Sequence, residues 1–135
     1  MKYSIIAGSL ATVLAVASSV SAHHAAAGVD RTKTVTVEGT IKSFKWQNPH
    51  SYMEVEVPNG KGGAELWSLE MTSPAFLVRA GWKSTSLKSG DKVKATANPM
   101  KDGTPGGLFL SVTLPDGKTL SERAQPAAAA PAPAR

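Results

Sequence analysis

The sequence predicts a small all-β protein with one short helix, in which a curled sheet of five strands closes into a barrel. Three observations support this prediction: runs of alternating apolar and polar residues, turn signals between those runs, and one segment with helical spacing. The length of 135 residues allows one domain. Because the first 22 residues and the last dozen are not typical of a packed core, roughly 100 residues remain for the barrel.

The first predicted strand is long and bent. It covers residues 33–47, in which valine, isoleucine and phenylalanine alternate with threonine and lysine, and Gly39 marks a bend or a bulge. The strand ends at Asn48 and Pro49, because asparagine favours turns and proline cannot donate a hydrogen bond to a neighbouring strand.

Two further strands and a helix follow this turn. Residues 51–57 alternate again, an Asn-Gly pair within residues 58–63 is typical of a hairpin, and residues 64–70 form the third strand. The apolar period then becomes helical. Ser73 is predicted as the N-cap, the proline after it suits the first helical position, and Gly81 ends the helix after about two turns.

The last part of the chain returns to strands. Residues 93–98 form the fourth strand, residues 98–107 a loop rich in glycine, proline and aspartate, and residues 108–114 the fifth strand. A short terminal pairing follows at residues 118–120. Three strands, a helix and two strands form the order of a five-stranded Greek-key barrel of the OB type. A small open β-sandwich and a lipocalin-like barrel are alternatives, although the latter requires eight strands.

The N-terminal segment is predicted to be a signal peptide. Residues 1–22 begin with the charged Lys2, continue through an apolar run at residues 5–16, and end in the small residues before Ala22. The apolar run is too short for a transmembrane helix, which needs about 20 apolar residues. We therefore expect a periplasmic or secreted protein with no integral membrane segment after processing.

The predicted mature chain divides into three parts. An N-terminal arm covers residues 23–32, the barrel domain residues 33–122, and a disordered tail rich in alanine and proline residues 123–135. Loss of Lys2 lowers the formal net charge from +5 to +4. So small a surplus, without a basic run, argues against a nucleic-acid partner.

Cleavage after Ala22 would place His23 and His24 at the new N-terminus. A free α-amine and an imidazole both lose their proton to a metal at little cost near neutral pH. These nitrogen ligands suit Cu(II), Ni(II) and Zn(II), with Cu(II) bound most strongly. The alternative interpretation is that the two histidines merely follow the peptidase site and stay disordered.

His50 is the remaining histidine of the predicted mature chain, and it completes a candidate metal set of His23, His24 and His50. Glu70, at the end of the third strand, is a candidate carboxylate for orienting an imidazole. The alternative is that His50 only caps its turn. Trp46, Asn48 and Tyr52 surround this turn and are, with Glu70, candidate ligand-binding residues, because exposed aromatic side chains on an OB barrel stack against sugars or bases.

No complete catalytic site is present in the sequence. The absence of cysteine excludes a disulfide framework, a thiolate metal site and a cysteine nucleophile. The sequence also lacks a Gly-x-Ser-x-Gly elbow and a glycine-rich phosphate loop. We therefore expect a protein that is not an enzyme.

Several short motifs occur in a fixed order along about residues 23–120. They are His23-His24, Glu38-Gly39-Thr40, Trp46-Gln47-Asn48-Pro49-His50, Trp67-Ser68-Leu69-Glu70, Gly81-Trp82, Leu87, Gly90-Asp91 and Leu114-Pro115-Asp116-Gly117. This ordered set resembles a family of small exported bacterial proteins classed as a domain of unknown function, with a His-His mature N-terminus and a Trp-x-Asn-Pro-His motif. The resemblance implies an exported β-barrel and supplies no activity.

Two hypotheses for the function follow, beside the possibility of a structural envelope protein whose tail is only a spacer. The first is a periplasmic binding or accessory protein that holds a divalent metal, copper first, through its mature N-terminal histidines. The second is a metal-free, ligand- or protein-binding OB-type module of the cell envelope, whose partner is a small ligand or another envelope protein and whose binding face is the loop from Trp46 to Tyr52.

Overall fold

Six strands and one short helix follow one another along residues 27–123, the part of the chain that the computed structural model describes. The predicted signal peptide, His23, His24 and the tail from residue 124 lie outside the described residues. The elements are β1 (Val35–Lys45), β2 (Tyr52–Pro58), β3 (Ala64–Glu70), α1 (Pro74–Arg79), β4 (Lys92–Pro99), β5 (Gly106–Thr113) and β6 (Thr119–Ser121).

The strands form a closed barrel. They lie in the order β3-β2-β1-β4-β5-β6, and β3 also pairs with β5, in parallel, through residues Ser68 to Glu70. This last pairing closes β1 to β5 into a five-stranded barrel, and β6 adds an extra strand to the outer edge of β5. The predicted OB-type barrel with one short helix is confirmed, and closure excludes the open sandwich.

β1 bends because it serves two partners. Its first half pairs with β4 and its second half with β2, and the register shifts between Ile41 and Ser43. The irregularity therefore lies two residues beyond Gly39, where the sequence predicted a bend or a bulge. Gly39 has a different role: a Cβ there would overlap the carbonyl oxygen of Glu56 and approach the Val55 side chain to 2.9 Å. Its missing side chain lets β1 and β2 approach closely.

The core follows from strand alternation. On β2, Met53 and Val55 are fully buried, whereas Glu56 is exposed. Burial of such side chains contributes about 1.5–3 kcal/mol each to folding. The core consists of Val37, Ile41, Met53, Val55, Leu69, Met71, Leu77, Trp82, Leu87, Val93, Ala95, Ala97, Phe109, Val112 and Leu120.

Helix α1 contributes one residue, Leu77, to the core, while Phe76 and Val78 on either side of it are exposed. Ser73 occupies the predicted N-cap position, but its side chain forms no capping hydrogen bond. The chain leaves the helix through Gly81, which has a φ of +91° and thus suits glycine. Within residues 27–123, no helix is both long and apolar enough to cross a bilayer.

Trp82 follows this turn and is buried in the barrel. Its ring lies edge-on to Phe109, with centroids 5.6 Å apart, and its Nε1 donates a hydrogen bond to the backbone carbonyl of Ser121 at 2.8 Å. This bond attaches the end of β6 to the core. Trp82 therefore fixes the position of the last described residues of the chain.

Candidate functional site

A groove of about 560 Å³ runs between the end of β3, strand β5 and the end of β6. This volume is within the range of small-molecule sites, roughly 300–1,000 Å³. The groove combines charged groups with an apolar side. Its lining residues are Arg31, His50, Glu70, Met71, Thr72, Asn98, Leu108, Phe109, Leu110, Ser121, Glu122 and Arg123.

The centre of this groove is a pair formed by His50 and Glu70. The backbone holds His50 close to the end of β3, because Ser51 N donates to the carbonyl of Thr72 at 3.2 Å and Met71 N donates to the carbonyl of Ser51 at 2.9 Å. Nδ1 of His50 contacts Oε1 of Glu70. The Glu70 side chain is only 10% exposed, whereas that of His50 is 38% exposed. The carboxylate occupies one ring nitrogen and leaves Nε2 for another partner.

Glu122 brings a second carboxyl group to the same place. Its Oε1 accepts a hydrogen bond from the backbone N–H of Thr72 at 2.5 Å, which connects the C-terminal end of β6 to the segment after β3. Burial raises the pKa of Glu122, and the nearby Glu70 raises it further. The Thr72 N–H, the neighbouring His50 and the charge of Arg123 act in the opposite direction and lower the pKa. The carboxyl is therefore harder to ionise than a solvated one.

Tyr52 also borders the pair, because it lies opposite Glu70 in the β2–β3 register. Partial burial raises the pKa of its hydroxyl, and the charge of Glu70 adds to this effect. The hydroxyl thus stays protonated near neutral pH. The structure brings together His50, Tyr52 and Glu70, three of the residues that the sequence predicted as metal-binding or ligand-binding.

Trp46 and Asn48 do not line the groove. Trp46 is half-buried and packs edge-on against Phe44, with ring centroids 5.6 Å apart, so it belongs to the margin of the core. Asn48 is exposed in the turn after β1. The groove lies instead on the side of the turn that His50 faces.

The N-terminal arm is attached beside the groove. Val29 is buried and forms a β-bridge with Met100, and Asp30 N donates to the carbonyl of Pro99 at 2.8 Å. The side chain of Asn98 fixes the next turn of the arm through a 2.7 Å hydrogen bond to the carbonyl of Lys33. Arg31, between these anchors, therefore lines the same groove as His50.

Sequence reasoning missed Arg31, Glu122 and Arg123 as groove residues. They come from opposite ends of the described chain, and no motif relates them. The only sequence signal was the short pairing predicted at residues 118–120, which β6 confirms as Thr119–Ser121. That pairing requires the next residues to run back along β5.

The described residues do not by themselves form a metal centre. Within residues 27–123, no group of three histidine, cysteine, aspartate or glutamate side chains is arranged to hold a metal ion. The predicted set of His23, His24 and His50 has two members outside that range. His50 and its carboxylate partner are the part of the predicted metal set that the structure describes.

Comparison with known proteins relates the chain to a family of unknown function. The model of a family of unknown function (DUF6152) matches residues 10–111. None of the curated proteins and none of the solved structures matches the chain. The match confirms the resemblance to a family of unknown function. The His-His N-terminus and the Trp-x-Asn-Pro-His motif as family features stay predictions.

Proposed function

We propose that this chain, which belongs to the family of unknown function DUF6152, is an exported protein and not an enzyme. Its proposed role is to bind a divalent metal ion, copper first. The proposed ligands are His50 and, once residues 1–22 are removed, His23 and His24 with the new α-amine. The proposed location is the periplasm or the extracellular space.

The observation that carries this proposal is the contact between Glu70 and Nδ1 of His50. Metal-binding histidines almost always donate their second ring N–H to a carboxylate, a carbonyl or water. Such a partner fixes the tautomer, orients the ring and makes the free nitrogen a better ligand. His50 has this arrangement, on a ring that is partly exposed at the edge of the groove.

The position of the N-terminal arm supports the participation of His23 and His24. Arg31 lines the groove, and His24 precedes it by seven residues. Val29 is anchored beside Met100, and His24 precedes Val29 by five residues, a length of chain that spans at most about 17–18 Å at about 3.3–3.6 Å per residue. An α-amine and three imidazoles form a nitrogen-rich set, and such sets bind Cu(II) most strongly among the common divalent metals.

The serine of the groove is not arranged as a nucleophile. Ser121 is the serine that lines the groove, and its hydroxyl donates to the carbonyl of Arg123 at 2.6 Å. A nucleophilic serine would instead hydrogen-bond to a base such as His50. The groove residues therefore form no serine–histidine pair.

A copper titration of the mature protein tests the proposal. Intact mass first establishes whether His23 is the first residue. We then expect His50→Ala to weaken Cu(II) binding by tenfold or more, and Glu70→Gln to weaken it by about 10–100-fold. An extra serine before His23 should also weaken binding, because it displaces the chelating amine. Glu56→Gln, an exposed carboxylate paired with Lys42, is the matched control. If the three test variants bound Cu(II) as tightly as the wild type and the Glu56→Gln control do, the proposal would be refuted.

The metal-free alternative has its own supporting observation, the size of the groove. At about 560 Å³ it can admit a small organic ligand without a metal ion. Ligand binding that persists in the presence of a chelator would support this second candidate function.

A further inference from the structure

We propose that the groove binds an organic anion with an apolar body, a medium-chain carboxylate in chemical class, whose head group is held by Arg31 and Arg123. The inference rests on the second candidate function, the metal-free one, and needs no metal ion. Its evidence is the distribution of paired and unpaired charges around the groove.

Both carboxyl groups of the groove already have internal partners. Glu70 contacts His50, and Glu122 accepts the hydrogen bond from the backbone of Thr72. Burial also raises the pKa of Glu122, which lowers the cost of its neutral form. The acidic residues of the groove are therefore committed to the protein itself, which disfavours a cationic ligand.

Neither arginine of the groove forms a salt bridge within residues 27–123, although acidic residues elsewhere on the barrel pair with lysines, as Glu54 does with Lys45. The charge of Arg123 does act on the neighbouring Glu122 and lowers the pKa of that carboxyl, but the two groups are not in salt-bridge contact. A guanidinium presents a planar set of donors that matches a carboxylate in a bidentate arrangement. The groove thus offers, for one anionic head group, two guanidinium groups that form no salt bridge within residues 27–123.

Strand β5 supplies the apolar side of the groove. Leu108 and Leu110 line it, and Leu110 is 38% exposed, so part of its side chain is open to a ligand. Met71 and Phe109 also border the groove, but they are almost fully buried in the core and offer little surface to a ligand. An alkyl chain against Leu108 and Leu110 would bury apolar surface, which favours binding. A small inorganic anion would leave this side unused.

The test is a binding comparison on the mature full chain in the presence of a metal chelator. Decanoate is the probe, with decylammonium as the matched cation and acetate as the matched anion without a chain. We expect decanoate to bind at least tenfold more tightly than either, which corresponds to about 1.4 kcal/mol. The double variant Arg31→Gln, Arg123→Gln should lose tenfold or more of the decanoate affinity. Lys118→Gln, a cation outside the groove, should keep it.

Several results would overturn the inference. Decylammonium binding as tightly as decanoate would show that the acidic residues determine the ligand, and acetate binding as tightly would show that β5 contributes nothing. Decanoate affinity unchanged in the double variant, or no binding at about 1 mM, would refute it as well. Unfolding curves for the variants exclude loss of fold. Because a chelator is present throughout, these results leave the copper proposal untouched.

Discussion

Replacing Trp82 with phenylalanine is expected to destabilise the barrel and to release the end of β6. Trp82 is 1% exposed, and its Nε1 donates to the Ser121 carbonyl at 2.8 Å. Phenylalanine keeps an aromatic ring but cannot donate, so the partly buried carbonyl of Ser121 loses its partner. A lost hydrogen bond of this kind costs about 1–3 kcal/mol.

The smaller ring adds a second loss. Trp82 packs against Phe44 and Phe109, with centroids 5.9 and 5.6 Å away, and the shorter side chain leaves a void of at least methyl size between them. Such a void costs about 1 kcal/mol. The two losses together lower the free energy of unfolding by about 2–4 kcal/mol. For a domain of this size, the Tm should fall by about 10 °C or more.

Urea unfolding followed by far-UV circular dichroism measures this change without depending on tryptophan fluorescence. Trp67→Phe is the matched control, because Trp67 is half-buried and its ring nitrogen donates no hydrogen bond within residues 27–123. We expect that control to lose less than about 1 kcal/mol. If Trp82→Phe were no more damaging than Trp67→Phe, at equal m-values, the bond to Ser121 would not be what anchors β6.

Two further substitutions test the strand packing and the buried carboxyl. Gly107→Ala should destabilise by about 1–3 kcal/mol in urea unfolding, because its Cβ would overlap the carbonyl oxygen of Asn98. Gly63→Ala, whose Cβ would meet only a side chain, Nδ2 of Asn59 at 3.1 Å, should cost less than about 1 kcal/mol; equal effects of the two substitutions would refute this reasoning. Glu122→Gln should change how stability depends on pH. Burial raises the folded-state pKa of Glu122, so its contribution to stability is present below the unfolded value of about 4.3 and lost as pH rises through the folded value. Glutamine cannot ionise. In unfolding curves measured between roughly pH 4 and 8, the free energy of unfolding of the variant should therefore rise relative to that of wild type as the pH increases. A constant difference would contradict the assignment.

The strands were predictable because a half-buried strand alternates in the sequence. Residues 51–57 show this alternation, and β2 buries the predicted residues Met53 and Val55. The start of β5 was predicted two residues late, since Gly106 and Gly107 are typical of loops. In the structure they belong to β5 because a side chain there would collide with the backbone of β3 or β4.

The composition of the groove was not predictable, because it depends on how the barrel closes. Parallel pairing of β3 with β5 covers a short stretch and leaves no periodic signal in the sequence. Only this closure brings Glu70 and Leu108 side by side, and only the turn after β5 returns Glu122 towards His50. The sequence pattern indicated His50 and Glu70 individually, whereas Arg31 and Arg123 depend on the path of both chain ends.

The short pairing of β3 with β5 also has a dynamic consequence. It joins only Ser68–Glu70 to Gly106–Leu108, whereas the other barrel strands pair along most of their length. The barrel should therefore open first along this seam, and backbone amides there should exchange with solvent before those of β1 and β2. Glu70 and Leu108 belong to both the seam and the groove. Opening and closing of the β3–β5 pairing then changes the width of the groove. A ligand bound in the groove would therefore slow hydrogen exchange of the backbone amides in this pairing.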